Sequence, residues 1–407
     1  MTEDWRTFRI EELSDGPRGM AMGPFGSNIK SEFFVRAGVP VIRGKNLGNG
    51  SFHDDGFVYI SEEHAEKLAT SEARPGDLVF THRGTIGQVA RIPEKSRYPR
   101  YIASQSQMRA RFSPDKADSR YMHYWFQSPL GQFALLSNAT QTGVPAIARP
   151  LSHLKSITLQ LPDLCEQRRI AGVLGALDDL IDTNLGIAQS LKDLALSYFQ
   201  EFLQASSAEA VLGDLVTVNG SKAKPYGDDS ILYLDIASLG DGFISWPQDR
   251  VKWNEAPSRA RRLAPPGATL WSTVRPNRRA HALLTRAPEN LVVSTGIAVL
   301  EPIQIGPAQL FALVDGDDFV DYLTSRSEGS AYPAVSSQVF EEAPVTCLFG
   351  KHSDRYESIA WPMWQQVEAL EQENTQLRQT RDELLPLLMS GKIRVREAEE
   401  LVKERVG

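Results

Sequence analysis

The chain is poor in the residues that define several large protein classes. Only Cys165 and Cys347 occur in 407 residues. That excludes a disulfide framework and a four-cysteine zinc site, and both read as small packing residues near the end of a globule. No run approaches the ~20 consecutive apolar residues of a membrane helix. The opening MTEDWRTFRIEEL is acidic and amphipathic, with neither the apolar core of a signal peptide nor the Arg/Ser-rich character of a transit peptide. A cytoplasmic setting with no membrane partner is expected. The seven histidines are scattered, and His53-Asp54-Asp55 lies in a turn-like Gly/Asn/Asp stretch with no second histidine cluster. No metal site is expected there. No Asn-Pro-Pro-aromatic or Asp-Pro-Pro-aromatic block is present to hold a flipped base for methylation. No glycine-rich strand-to-helix loop suits adenosylmethionine, and no Walker-type loop could cradle ATP phosphates. Pro162-Asp163 has no Glu-x-Lys partner of the nuclease kind and reads as the end of a strand before a helix. The chain is therefore not expected to be an enzyme. Positive charge is lacking too: 44 Lys+Arg face 51 Asp+Glu, a net charge of −7.

What is present is a repeat. At roughly 150 residues per domain, a chain of this length should hold two or three domains. Leu177, Leu180, Asn184, Ile187, Leu191, Leu194 and Tyr198 step alternately by 3 and 4. Val367, Leu370, Asn374, Leu377, Arg381, Leu384 and Leu388 do the same 190 positions later, again with asparagine third. A tandem repeat on this scale points to duplication of a whole domain. The segments before the helices correspond as well. Gly76-Asp-Leu-Val79 after Arg74-Pro75 matches Gly267-Ala-Thr-Leu270 after Pro265-Pro266, and Val144-Pro-Ala-Ile147 matches Tyr332-Pro-Ala-Val335.

Short β-rich runs such as Val39–Ile42, Leu78–Thr81, Gln107–Phe112 and Leu291–Thr295 alternate with Gly-Asn-Gly, Pro-Gly and Asp-Gly turns, and 119–137 reads as helical. The expected fold is α+β, with two tandem pseudo-repeated domains, each followed by a long α-helix. A helix from about Glu166 to Leu203 would run ~55 Å, more than one globule needs. The two seams are expected to bury against each other as in a coiled coil, with the asparagines helping to fix register. Pro386 should end or kink the second helix near Leu385. The expected boundaries are 1–163 for the first globule, 164–204 for its helix, 205–358 for the second globule and 359–407 for the second helix and tail.

Charge is distributed unevenly. From Arg259 to Arg286 there are seven arginines and no acid; from Arg83 to Arg111 there are seven bases and only Glu94. The rest of the chain holds 30 bases against 50 acids. Two basic windows at equivalent places point to phosphate and guanine-edge contacts, for which the arginine fork is suited. Net acidity is thus no argument against a nucleic-acid partner. The candidate contacts are Arg83 and Thr85 with Gln105 in the first half, and Arg275, Asn277, Arg278 and Arg279 in the second. For Arg43, Lys45 and Asn46, contact and a purely structural turn stand evenly.

Several blocks, in this order, carry a family resemblance. They are Pro24-Phe-Gly-Ser-Asn-Ile-Lys30, Gly38-Val-Pro-Val-Ile-Arg43, Gly76-Asp-Leu-Val79, Arg83-Gly-Thr-Ile-Gly87, Ser104-Gln105, Thr142-Gly-Val-Pro-Ala-Ile147, Leu161-Pro-Asp-Leu-Cys-Glu-Gln-Arg-Arg-Ile170 and the closing Leu387-Leu-Met-Ser-Gly-Lys-Ile393. The chain resembles the specificity subunit of Type I restriction–modification systems over its whole length. In the second half Arg275-Pro-Asn-Arg278 replaces the Gly-Thr-Ile-Gly turn, and Glu-Gln before the second helix is missing. The resemblance implies two target-recognition domains, each reading one half of a bipartite, asymmetric site on double-stranded DNA. It implies that the two helices pair as an antiparallel coiled coil, set the spacer and recruit two methyltransferase subunits, and through them the restriction/motor subunits. S-adenosylmethionine, ATP and Mg would belong to those partners, with no cofactor bound by this chain. The other reading open at this point is a protein-only assembly scaffold.

Overall fold

Proline followed by glycine sets a type II turn, because proline fixes the φ of the second residue and glycine accepts the positive φ of the third. Arg74-Pro75-Gly76-Asp77 and Pro265-Pro266-Gly267-Ala268 both do this, with φ +88° at Gly76 and +86° at Gly267. The Asp77 N–H donates to the Arg74 carbonyl at 3.0 Å and the Ala268 N–H to Pro265 at 3.2 Å. Each turn launches a strand buried at every position, Leu78–Thr81 and Thr269–Ser272. The computed structural model describes residues 5–48, 50–140, 143–224, 229–329 and 332–406. Thr142 and the Asn49 of the Gly-Asn-Gly turn lie outside the described residues. The chain divides into two compact units, 1–182 with 374–407, and 183–373.

In the first unit, Met20–Met22, Gln107–Ala110, Leu78–Thr81 and Val89–Arg91 form an antiparallel sheet in that order. A five-stranded mixed sheet joins Val39–Ile42 in parallel to Tyr101–Ala103, and Arg6–Arg9 pairs with Thr158–Leu161. The second unit repeats the plan. Its antiparallel sheet runs Val216–Val218, Ile297–Pro302, Thr269–Ser272, His281–Leu283. Its second sheet joins Ser230–Leu234 in parallel to Leu291–Ser294, and Ala208–Val211 pairs with Pro344–Cys347. The α+β duplication expected from sequence is therefore present in plan, although among the described residues the mixed sheet has five strands in the first unit and four in the second. The stretch expected as one helix at 119–137 is two, Ser119–Gln127 and Pro129–Leu136. Pro129 cannot continue the first helix, and the Ser128 hydroxyl caps the second by accepting the Gly131 N–H at 3.2 Å.

The two long helices are Leu164–Ala205 and Gly350–Met389. Asp163 starts the first one, its carboxylate accepting the Glu166 N–H at 2.8 Å. The adjacent Gln167 is buried, donating to Pro162 O at 3.0 Å and accepting the Asp118 N–H at 2.9 Å. Before the second helix, where Glu-Gln is missing, Gln309 reaches in from Pro307–Asp315 and donates to Leu348 O at 3.0 Å. Cys347 is buried as expected, but Cys165 is exposed at the start of its helix. Pro386 does not end the second helix, which runs to Met389; in its last turn the Ser390 N–H bonds Pro386 O at 3.1 Å.

Within each unit the helix segments pair antiparallel. In the first, Asp178 meets Arg381 at 2.8 Å and the Asn374 amide donates to Ile181 O at 3.4 Å. In the second, the Asn184 amide donates to Glu373 at 3.1 Å and the Tyr356 hydroxyl to Ala195 O at 3.2 Å. On the second helix Val367, Leu370, Asn374, Leu377, Leu384 and Leu388 are buried, and Arg381 is half-buried against Asp178. The burial of the first helix differs from expectation at four of the seven positions. Leu177 and Asn184 are buried and Leu191 half-buried, but Ile181, Ala188, Ala195 and Phe199 fill the places expected of Leu180, Ile187, Leu194 and Tyr198. Ile187 and Leu194 are 45% and 42% exposed, and Leu180 and Tyr198 half-buried. This helix carries two apolar stripes one residue apart. The partner selects the one where Ala188 admits Val367 and Leu370, and Phe199 meets the Tyr356 ring at 5.3 Å.

Candidate nucleic-acid interface

Each inner strand ends in a turn that rises to a groove. In the first unit the Gly84 N–H bonds Pro145 O at 2.9 Å, and the Ile147 N–H bonds His82 O at 2.9 Å. In the second unit the Arg275 N–H bonds Pro333 O at 2.7 Å, and the Val335 N–H bonds Thr273 O at 2.9 Å. The turns close alike, with Thr81 N–H on Gln88 O at 3.0 Å and Ser272 N–H on Ala280 O at 2.8 Å. The Val-Pro-Ala-Ile and Tyr-Pro-Ala-Val blocks thus buttress equivalent turns, and the second turn is one residue longer. Arg275 stands where the first turn has Gly84, and Arg279 where it has Gly87. All four are left-handed: φ is +92° and +90° at the glycines, +53° and +52° at the arginines. The structural counterpart of Arg83 is consequently Val274. A non-glycine residue held there costs about 1–2 kcal/mol, so the second turn accepts strain to place two guanidiniums.

In the first unit Arg43, Arg83, Thr85 and Gln105 line one groove of about 430 Å³. Arg83 and Gln105 also edge a neighbouring groove of about 720 Å³, where Phe25 stands 85% exposed. Asn46 is not at the groove surface. It is 1% exposed and fixes a turn, accepting the Arg43 N–H at 3.0 Å and donating to Asp55 O at 2.7 Å. Lys45 is exposed but does not line that groove. His82 Nε2 donates to Gln105 O, 3.1 Å away, and burial holds its pKa below the ordinary value.

In the second unit Arg275 and Arg278 line a groove of about 760 Å³ with Arg259, Tyr233, Asp235 and Tyr332. The Arg275 guanidinium lies 4.7 Å over the Tyr332 ring. Asn277 is exposed outside this groove. Arg279 points elsewhere, to Asp317 at 2.5 Å, Asp315 at 3.6 Å and Asp241 at 3.7 Å. Burial works against its charge, but those carboxylates outweigh it and raise its pKa. Asp241, His281 and Asp315 have the spacing of a metal site. Here a cation from the chain itself stands among the carboxylates, and His281 is committed to Asp315 and Arg279 O, each at 2.9 Å. Sequence reading missed Arg259, Tyr332 and these acids, which only the fold brings together. His53-Asp54-Asp55 is a structural loop, with Asp54 accepting the Tyr101 hydroxyl at 2.7 Å.

The basic windows are less basic in space than in sequence. In the first, Arg91 pairs with Glu94, Arg100 with Glu62, Glu66 and Glu72, and Arg111 with Asp77. Arg109 is buried against the Gly19 and Arg18 carbonyls. In the second, Arg262 bonds Ile297 O, Arg286 pairs with Glu368 at 3.1 Å, and Arg279 is neutralised as above. Arg83 therefore carries much of the outward charge at the first turn, and Arg259 and Arg278 that at the second.

A loop beside the first groove is held through His123. The Gln127 amide bonds both Gly50 O at 3.0 Å and His123 Nε2 at 2.9 Å, an arrangement that needs a neutral ring. Burial pushes the His123 pKa down to about 4. The unfolded chain takes up this proton first, so the stability it contributes is full above pH ~6.5 and is lost as pH falls toward 4. Acidification from pH 7 to 5 should remove up to about 2 kcal/mol. Chemical denaturation at the two pH values should show a smaller difference for His123→Gln than for the parent.

A duplicated α+β protein with one loop-borne polar groove in each copy is the class this geometry defines. Residues 2–193 match the family described as the Type I restriction modification DNA specificity domain. The MjaIX specificity subunit of Methanocaldococcus jannaschii is 20% identical across 97% of this chain and 95% of its own length. The MjaVIII specificity subunit of the same organism is 26% identical across 44% of this chain and 41% of its own. The S subunit of a Type I restriction–modification system from M. genitalium shares the fold, with TM-score 0.61 at 16% identity over 94% of this chain and 96% of that one. Residues 2–193 carry this domain, and the chain as a whole is similar to Type I restriction–modification specificity subunits. Among the described residues, no helix is long and apolar enough to cross a membrane.

Proposed function

We propose that this chain is the non-catalytic subunit that gives a Type I complex its DNA sequence specificity. Each unit reads one half of a bipartite, asymmetric duplex target, and the long helices set the unread spacer. The observation that carries this reading is the pair of equivalent turns, built on the same backbone and offering different side chains to their grooves. Shared scaffolding with unlike contact residues is what reading two different half-sites requires. Leu185, Ile187 and Leu194 lie 42–45% exposed on the first long helix; they offer apolar surface for two methyltransferase subunits, which in turn carry the restriction/motor subunits. S-adenosylmethionine, ATP and Mg would act on those partners. The test is methylome sequencing of a methylation-deficient host expressing this chain with an adenine methyltransferase partner from the same locus. A bipartite motif with a fixed gap is expected. Binding of the assembled complex to that duplex should weaken with salt, with a log–log slope of about −0.9 per phosphate contact. A complex that assembles yet neither methylates nor prefers any duplex would leave a protein-only scaffold and overturn the proposal.

A further inference from the structure

The turn of the second unit differs from that of the first in one respect that the shared backbone isolates. At Gly84 an added Cβ would meet nothing within 4 Å, so the scaffold has room for a side chain that the first unit does not use. The second unit fills that place with Arg275, in the left-handed conformation that glycine adopts freely. Its backbone is fixed from both sides, since the Arg275 N–H bonds Pro333 O at 2.7 Å and its carbonyl accepts the Arg278 N–H at 2.9 Å. Its guanidinium is fixed as well, 4.7 Å over Tyr332, whose ring is itself 70% exposed.

A phosphate needs only a nearby positive charge. A base edge needs a fork held in one plane and pointed in one direction. Arg275 has both constraints, from its backbone and from the ring beneath it. Arg278 and Arg259 line the same groove without a ring beneath them in the described contacts, the disposition of charges that follow a backbone. We infer that Arg275, stacked on Tyr332, is a specificity-determining residue that reads a guanine through O6 and N7 in the half-site of the second unit. The inference rests on the DNA-specificity reading above and adds the base, the residue and the half-site. In the first unit the equivalent place is empty at Gly84, and Gln105 with Arg83 faces the groove instead, so this guanine contact is confined to one half of the target.

The test uses the assembled complex with its methyltransferase partner and compares Arg275→Gly, Tyr332→Leu and, as a charge control, Arg286→Ala. Glycine suits φ +53° and restores the residue of the first turn, so Arg275→Gly should fold; thermal unfolding checks this. Methylomes are expected to show one guanine position becoming degenerate in Arg275→Gly and Tyr332→Leu, with the other half-site and the gap unchanged and Arg286→Ala like the parent. A duplex carrying 7-deazaguanine at that position should bind the parent complex about 10-fold more weakly and Arg275→Gly no differently. An unchanged motif in Arg275→Gly overturns the inference and leaves the subunit's function standing. Degeneracy in Arg275→Gly but not in Tyr332→Leu overturns the stacked clamp. A parent complex with no bipartite motif overturns the functional reading, and this inference with it.

Discussion

Asp77→Ala should destabilise the first unit by about 3–5 kcal/mol, the range for stripping one partner from a buried ion pair. The Asp77 side chain is 1% exposed and accepts Arg111 Nε at 2.7 Å and Nη2 at 2.8 Å. It also accepts the Arg74 N–H at 2.9 Å, closing the turn that launches Leu78–Thr81. Alanine would leave the Arg111 guanidinium uncompensated next to Arg109, which is 4% exposed and already has an Nε without a partner. Asp77→Asn keeps an acceptor for the turn and loses only the charge, so its cost should be roughly half as large. Urea denaturation of the three proteins measures both. A loss below ~1 kcal/mol for alanine would mean that the 28% exposure of Arg111 lets water take over the role of Asp77.

The second large effect is expected at Trp271. This ring is fully buried, stacks on His281 at 4.2 Å and meets Phe319 edge-on at 5.4 Å. Trp271→Ala should cost about 3–5 kcal/mol, the usual range for emptying an aromatic site in a core. Trp271→Phe should cost far less, about 1 kcal/mol. The reason is that the indole Nε1 is buried with no hydrogen-bond partner, and phenylalanine removes that unsatisfied donor along with part of the volume. Because Trp271 lies in the strand that leads into the arginine turn, the alanine variant should also blur recognition of one half-site. Denaturation and a methylome on the same two variants separate the outcomes. Equal losses for alanine and phenylalanine would show that the N–H is satisfied after all.

Features set by local chemistry were legible in the sequence. The Pro-Gly turns and the Leu78–Thr81 strand depend on a few neighbouring residues, and these were readable. The phase of the first helix was not. Leu180, Ile187 and Leu194 make as good a stripe as Ile181, Ala188 and Ala195, and only the partner helix decides between them. Arginine in a left-handed turn was equally hidden, because nothing in its own propensity announces it. The charge of the basic windows misled for a related reason. Asp241, Asp315 and Asp317 reach Arg279, and Glu62, Glu66 and Glu72 reach Arg100, from places distant in sequence. Counting charges along a chain says little about which of them have already found partners.

The division of the helices between units has a consequence for biosynthesis. Residues 374–407 belong with residues 1–182, yet the ribosome delivers them only after the whole of 183–373. Until then Leu174, Leu177 and Ile181 lack the cover of Leu377, Leu384 and Leu388, with which they share a core. The unit encoded first is therefore the one completed last, while the unit encoded second is contiguous and can close on its own. Apolar surface left waiting during synthesis is prone to aggregation, and contacts so remote in sequence form slowly. Folding of the first half during synthesis is thus expected to be slower and more prone to aggregation than that of the second.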